Sequence, residues 1–297
     1  MTDHAITIVM PAYNEEAGIQ MSLQYLIDTL DASPMRDVEI IVVDDGSQDD
    51  TVALATAFER VRLVQHQHNQ GYGAALKTGI RHATHDLICI IDADGTYPAD
   101  RITDLQRMMI DDGADMVVGA RTGANVNIPL LRRPPKAFLR WLASYVAQMP
   151  IPDLNSGLRI FRRSVALRFF SLLPNQFSFT TTITLAMLVN DYRVQYVPID
   201  YAMRRGRSKI RPIRDTLSFI YLVLRIALYF APLRIFLPLS MSMFLIGIAW
   251  GVFSMVVLGQ FADASTIVLL TTAVQLLAIG MLAELITKRL QNEYRPL

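Results

Sequence analysis

Cysteine is all but missing from this sequence. Cys89 stands alone among 297 residues, which excludes an intrachain disulfide framework and any cysteine-rich metal site. Charge is scarce as well. Asp, Glu, Lys and Arg make up 19 % of the chain, against about 25 % in ordinary soluble domains. With 28 basic and 27 acidic residues the net charge is +1, so bulk charge gives no footing for nucleic-acid binding. Glycine (15) and proline (14) are too few for a collagen-like or low-complexity chain, and no internal repeat is present. Residues 1–5 hold no charged stretch leading into a long apolar run, so the start does not read as a secretory signal. What the chain has in excess is apolar. Hydrophobic residues reach 52 % and mean hydropathy is +0.29, too apolar for disorder and high enough to place part of the chain in lipid.

That surplus is concentrated in the last third. Residues 235–258 carry no charge, and 266–283 form a second uncharged run closed by Glu284, Lys288 and Arg289. Each is roughly long enough, as a helix, to cross a hydrocarbon core of about 30 Å. The link between them has no Lys or Arg, whereas Arg204–Arg234 before and Lys288–Arg295 after are rich in both. Positive residues mark the cytoplasmic side, so the reading is a hairpin over about 235–258 and 266–286 with both ends in the cytoplasm. Between 212 and 233 the positions Ile213, Leu217, Ile220, Leu224 and Leu228 recur at helical spacing, which reads as an interfacial helix. The expected domains are therefore 1–211, the interfacial 212–233, and 234–297 with two spans.

The first 211 residues alternate short β-rich runs with helical patterns. Strands are expected at 6–10, 38–43, 61–66, 87–91 and 116–118, and helices at 16–30, 49–58, 71–83 and 98–110. The run 38–43 is nearly all apolar, as for a strand buried on both faces. Such alternation makes an α/β fold, a Rossmann-like, mostly parallel sheet with helices on both faces. Ligands of such sheets bind beyond the carboxyl ends of the strands. Polar clusters sit at those ends: Pro11-Ala-Tyr13-Asn14-Glu15, Asp44-Asp45-Gly46-Ser47 and Asp92-Ala-Asp94-Gly95-Thr96. Left uncompensated, these acids would raise one another's pKa. Asp92 and Asp94, two apart on a chain leaving a strand, suit a hard divalent cation such as Mg²⁺ or Mn²⁺. Asp44 and Asp45, beside a glycine, suit either a turn or hydrogen bonds from a base or ribose. Gly71-Tyr-Gly73-Ala-Ala-Leu-Lys77 lacks the third glycine of a dinucleotide fingerprint and reads as a helix start with close backbone packing.

These four motifs, in this order, resemble family 2 glycosyltransferases of the GT-A fold. The segments Asp153-Leu-Asn-Ser156-Gly-Leu-Arg159 and Arg204-Arg-Gly-Arg-Ser-Lys209 are similar to the polyprenyl-phosphate branch, which holds dolichyl-phosphate mannose synthases and undecaprenyl-phosphate glycosyltransferases. The resemblance spans about residues 5–215 and the two-helix tail. It implies a nucleotide-sugar donor (UDP in preference to GDP), a divalent metal, a polyprenyl-phosphate acceptor, inversion at the sugar carbon, and an integral membrane enzyme facing the cytoplasm of a bacterial inner membrane. Pro11, Tyr13, Glu15 and Asp44 fall where the family holds base and ribose. Asp92 and Asp94 fall on the metal and diphosphate positions, and Thr96 where some relatives place a glutamine ligand. Arg121 falls on an acceptor-phosphate position, and Arg204 and Lys209 in the basic stretch near the donor phosphates. A homo-oligomer is compatible with this; nucleic acid has no part in it.

A phosphate monoester has a second pKa of about 6 and is largely a dianion at neutral pH, so it needs cations more than a base. Arg121, Arg133 and Lys136 supply such cations, Ser156 offers a hydroxyl to the acceptor, and residues 124–133 read as a loop that closes over the site. Asp153 is open to two roles, a base or positioning residue for the acceptor, or a cap or salt-bridge partner of Arg159. Asp94, Asp153 and Arg121 are thus the catalytic candidates. Three alternatives have less behind them: a glycan or other lipid acceptor, a processive polysaccharide synthase, and a non-catalytic scaffold. The synthase motif Q-x-x-R-W is absent, since Ala137 precedes Arg140-Trp141 by three positions.

Overall fold

The computed structural model describes residues 5–122, 141–176, 178–201, 221, 223–259 and 264–291. The chain divides into two units, Met1–Ile220 and Tyr221–Leu297.

The first unit alternates as its hydrophobic pattern dictates: β1 (Ile6–Ala12), α1 (Ile19–Ala32), β2 (Val38–Asp44), α2 (Thr51–Thr56), β3 (Val61–Gln65), α3 (Tyr72–His82), β4 (Leu87–Ile90), α4 (Arg101–Asp111) and β5 (Met116–Ala120). Four further elements follow: β6 (Arg159–Arg162), α5 (Arg163–Arg168), α6 (Phe179–Val189) and β7 (Val194–Pro198). All seven residues of β1 are buried, because helices cover both faces of the sheet. On one face Ile6, Ile8 and Met10 pack with Ile19, Leu23 and Leu26 of α1 and Leu105 and Met109 of α4. Each such side chain contributes about 1.5–3 kcal/mol by leaving water. On the other, Gly79 seats α3 flush against the sheet, since a Cβ there would overlap Val9 and press on Val43.

The strand order is β3-β2-β1-β4-β6-β5-β7. β1, β2, β3 and β4 run parallel, whereas β6 is antiparallel to both β4 and β5. β6 and β7 are absent from the sequence reading. The first is four residues with arginine at both ends and the second ends in proline, so neither shows a clean apolar run. The order of crossovers reverses between β1 and β4, which makes their carboxyl ends the topological switch point of the sheet.

The second unit holds α7 (Leu233–Phe253), which continues as a π-helical turn over Ser254–Leu258, and α8 (Ala264–Gln291). Each contains 26 residues of mean hydropathy above 2, about 39 Å of helix, enough to cross a membrane. Only 11 % of each apolar window is buried, whereas a soluble core helix is mostly buried. Small residues bring the two helices together. A Cβ on Gly247 would lie 3.0 Å from Leu270, and one on Gly251 2.9 Å from Thr266. Ser240 Oγ donates to the Ala273 carbonyl at 2.8 Å, and Glu284 accepts the Leu233 N–H at the first turn of α7. Residues 212–220 and 222 of the expected interfacial segment lie outside the described residues; 223–230 are helical.

Candidate active site

Two loops at the rim of the sheet are laced together. Asn14, at φ 50° just after β1, accepts the Gln48 N–H on Oδ1 at 2.9 Å, and its own N–H donates to Ser47 Oγ at 2.9 Å. The Glu15 N–H donates to Thr51 Oγ1 at 2.8 Å. Pro11 is buried in β1, opposite Val43, and Ala12 pairs with Asp44. Asp44 is 2 % exposed. Its Oδ2 accepts the N–H groups of Gly46 and Ser47, while Oδ1 is buried with no hydrogen-bond partner among the described residues. A buried carboxylate oxygen without a donor is costly, so Oδ1 calls for a partner beyond the described residues. The Asp44 residue lines a cavity of about 340 Å³ between the end of β2 and residues 65–69, with Tyr13 on its wall.

The neighbouring Asp45 has a different task. It accepts His66 Nδ1 at 2.7 Å and the Gln70 and Gly71 N–H groups at 2.9 and 2.8 Å. His66 Nε2 meets Thr78 Oγ1 at 2.9 Å on the other side. The two aspartates, which from the sequence suit either a turn or bonds from a base or ribose, are therefore separated: Asp45 ties down the loop after β3, and Asp44 lines the cavity.

At the end of β4, Asp92 Oδ1 accepts the Tyr72 hydroxyl at 2.8 Å. Asp94 Oδ1 accepts the Thr96 hydroxyl at 2.6 Å and its N–H at 3.2 Å. Thr96, placed by resemblance at a metal-ligand position, has its hydroxyl on the Asp94 carboxylate. An all-oxygen pair suits a hard divalent cation. Among the described residues no three metal-ligating side chains gather, as expected for a cation that takes one or two carboxylates and completes its shell from phosphates.

Arg121 and Asp153 form a two-pronged pair. Nε donates to Oδ2 at 2.7 Å and Nη2 to Oδ1 at 2.9 Å, and the Arg121 N–H adds a third bond to Oδ2. The guanidinium also lies over the Tyr201 ring at 5.3 Å. Burial disfavours both charges, but the hydrogen bonds and mutual attraction outweigh it. The Asp153 carboxyl sits below the usual aspartate range and the Arg121 pKa is raised. One expectation changes here: Asp153 pairs with Arg121 rather than Arg159, and both its carboxylate oxygens are engaged by that guanidinium. Ser156 is fully buried, with its hydroxyl on the Gly119 carbonyl, so it is not turned toward an acceptor. Arg133, Lys136, Arg204 and Lys209, with the 124–133 loop, lie outside the described residues.

Sequence reasoning missed the residues beneath the site. Arg159 is fully buried; Nη1 donates to the Thr180 carbonyl at 3.0 Å and Thr184 Oγ1 at 2.8 Å, and Nε to the Ser156 carbonyl at 3.1 Å. It thereby fastens the 154–156 loop to the first turn of α6. Tyr97 accepts the Gly157 N–H at 2.6 Å and meets Tyr201 edge-on. Burial pushes both the Tyr72 and Tyr97 hydroxyls well above the ordinary tyrosine pKa, and Asp92 adds to it. Their one sequence signal is position: Tyr72 lies in the Gly71–Lys77 helix-start motif, and Tyr97 directly follows the Asp92–Thr96 cluster.

Comparison with known proteins agrees with this geometry. Residues 7–170 match the family described as Glycosyl transferase family 2, and residues 231–289 match the GtrB C-terminal hairpin. The chain is 31 % identical over 245 residues to a dolichyl-phosphate beta-glucosyltransferase of Trichomonas vaginalis, covering 75 % of this chain and 71 % of that one. It is 28 % identical over 237 residues to the UDP-N-acetylglucosamine–dolichyl-phosphate N-acetylglucosaminyltransferase of Methanococcus voltae, covering 70 % and 92 %. The glucosyl-3-phosphoglycerate synthase of Mycobacterium tuberculosis, solved with UDP, superposes with a TM-score of 0.58 at 21 % identity over 75 % of this chain and 80 % of that one. The last likeness is one of fold. With the GT-A sheet, the acidic strand ends and the apolar hairpin, the matched regions show that the chain belongs to glycosyltransferase family 2, in its polyprenyl-phosphate branch.

Proposed function

We propose that the protein transfers a hexose from a nucleotide sugar, UDP-linked in preference to GDP-linked, to a polyprenyl phosphate at the cytoplasmic face of a bacterial inner membrane, with inversion at the sugar carbon. The observation that carries this reading is Asp44, lining a cavity at the end of β2 with its buried Oδ1 unpaired among the described residues, next in the sheet to the β1–β4 switch point where Asp92 and Asp94 stand. Asp44 would accept the base, with Tyr13, Glu15 and Pro11 shaping its seat. Asp92 and Asp94 would hold Mg²⁺ or Mn²⁺, which when bound neutralises charge building on the departing diphosphate. Relatives whose names specify dolichyl phosphate, and a neighbour solved with Mn²⁺ and UDP-glucose, support donor and acceptor classes.

The acceptor phosphate oxygen forms its bond to the anomeric carbon as the bond to the diphosphate breaks. A phosphate dianion arrives without a proton to lose, so no side chain has to act as base. Arg121, held rigid by Asp153, presents a preorganised cation toward that phosphate. Arg133 and Lys136 are assigned to the same anion, and Arg204 and Lys209 to the donor diphosphate. The hairpin keeps the enzyme at the bilayer that holds the lipid chain. Lys and Arg flank the spans, while residues 259–265 between them have neither, which supports the sidedness.

The test uses full-length protein in vesicles containing polyprenyl phosphate, with radiolabelled UDP-glucose, UDP-N-acetylglucosamine or GDP-mannose. One UDP-sugar is expected to deliver label to the organic phase, with EDTA abolishing transfer and Mn²⁺ restoring it. Label in a water-soluble polymer, or no transfer from any donor, overturns the proposal.

A further inference from the structure

The motif Gly71-Tyr-Gly73 has no part in the reaction so far, yet its tyrosine reaches the centre of the site. Tyr72 opens α3, and its hydroxyl donates to Asp92 Oδ1 at 2.8 Å. Both flanking glycines are pressed against another segment: a Cβ on Gly71 would overlap the Asn175 carbonyl and one on Gly73 the Pro174 carbonyl. The Ala74 N–H donates to that Asn175 oxygen at 3.0 Å. The first turn of α3 is therefore docked on residues 174–176, and the Tyr72 backbone is fixed in place. The backbone of Gly157 leans on the same carboxylate, where a Cβ would overlap Asp92 Oδ2. Gly157 is held in turn by its N–H bond to the Tyr97 hydroxyl at 2.6 Å.

We infer that Tyr72 and Gly157 are positioning residues that set the Asp92 carboxylate for the metal-bound diphosphate, Tyr72 by a hydrogen bond to one oxygen and Gly157 by leaving room for the other. A carboxylate on a bare strand end has several rotamers, and a cation needs one of them. A tyrosine hydroxyl fixes the orientation without adding a charge that would compete with the cation. Such outer partners of metal ligands typically change affinity by 10–100-fold when removed. The glycine does what no other residue can, since any side chain would displace the carboxylate. This rests on the reading of Asp92 as a ligand of the donor's cation.

The experiment measures Mn²⁺ binding to the full-length protein in detergent by electron paramagnetic resonance, with UDP present, alongside transfer kinetics. Tyr72→Phe keeps the ring and removes the hydroxyl. It is expected to weaken Mn²⁺ binding about tenfold and to raise the Mn²⁺ requirement for transfer by a similar factor, with most turnover recovered at saturating Mn²⁺. Gly157→Ala is expected to weaken binding further, beyond recovery by excess metal. Wild-type Mn²⁺ affinity in a folded Tyr72→Phe overturns the inference while leaving the proposed function standing. A wild-type protein that binds no Mn²⁺ in the presence of UDP overturns both.

Discussion

At the scale of single residues, adjacent and chemically identical side chains have been given different work. Asp44 ends the strand and Asp45 follows it, yet both Asp45 oxygens accept bonds from the loop after β3, whereas one oxygen of Asp44 has no partner among the described residues. Asp44→Asn is expected to lower UDP affinity about tenfold, roughly 1.5 kcal/mol, the worth of one charge-assisted hydrogen bond. Calorimetric titration with UDP and Mn²⁺ reads it directly. The Arg121–Asp153 pair gives a second residue-scale outcome. Because the folded Asp153 carboxyl lies below its ordinary value, its contribution to stability is complete above about pH 5 and is lost as the pH falls through the aspartate range near 4 and below. Asp153→Asn leaves the Arg121 charge partly buried without its partner and is expected to cost about 3 kcal/mol at neutral pH. Its melting temperature should then change less than that of the wild type between pH 5 and 3. An equally steep acid fall in the variant would show that other carboxyls control that limb. The sequence named both residues of this pair but assigned them to different tasks, because nothing in a linear order shows which of two nearby arginines a carboxylate meets.

At the scale of elements, β1 to β5 and α1 to α4 could be read from their patterns, as apolar runs and helical spacing each report burial on a known face. Helix α1 begins later than the pattern implies, at Ile19 rather than 16, since residues 15–18 form a turn whose Glu15 carbonyl accepts the Gly18 and Ile19 N–H groups. β6 stayed hidden because its burial includes Arg159, a charged residue that satisfies itself on the Ser156 and Thr180 carbonyls and the Thr184 hydroxyl. Buried arginine breaks the apolar signal on which strand reading depends. The docking of α3 on residues 174–176 makes a prediction of its own. Gly73→Ala puts a methyl group into the Pro174 carbonyl and is expected to destabilise the first unit by about 1–3 kcal/mol, seen as a lower urea midpoint. Because it also moves Tyr72, Mn²⁺ binding should weaken in the same variant.

At the scale of the whole molecule, the chain joins an α/β unit to a helical hairpin that is long and apolar enough to cross a membrane. If the acceptor is a lipid held in the same bilayer, confinement raises its effective concentration at the site. A short-chain, water-soluble prenyl phosphate is then expected to show an apparent KM at least about tenfold above that of the long-chain lipid in vesicles, with kcat less affected. Equal values for both would show that the bilayer contributes nothing to acceptor capture. The sequence by itself determined the alternation of strands and helices, the apolar hairpin and the acids at the strand ends, since each is a local pattern of burial or charge along the chain. Only the tertiary structure decided that β2, β1 and β4 lie side by side, that β6 runs against its neighbours, and that Tyr72 and Gly157 enclose Asp92. These depend on crossovers and contacts between residues 20 to 81 positions apart, and a contact at such separation leaves no periodic trace in the order of residues.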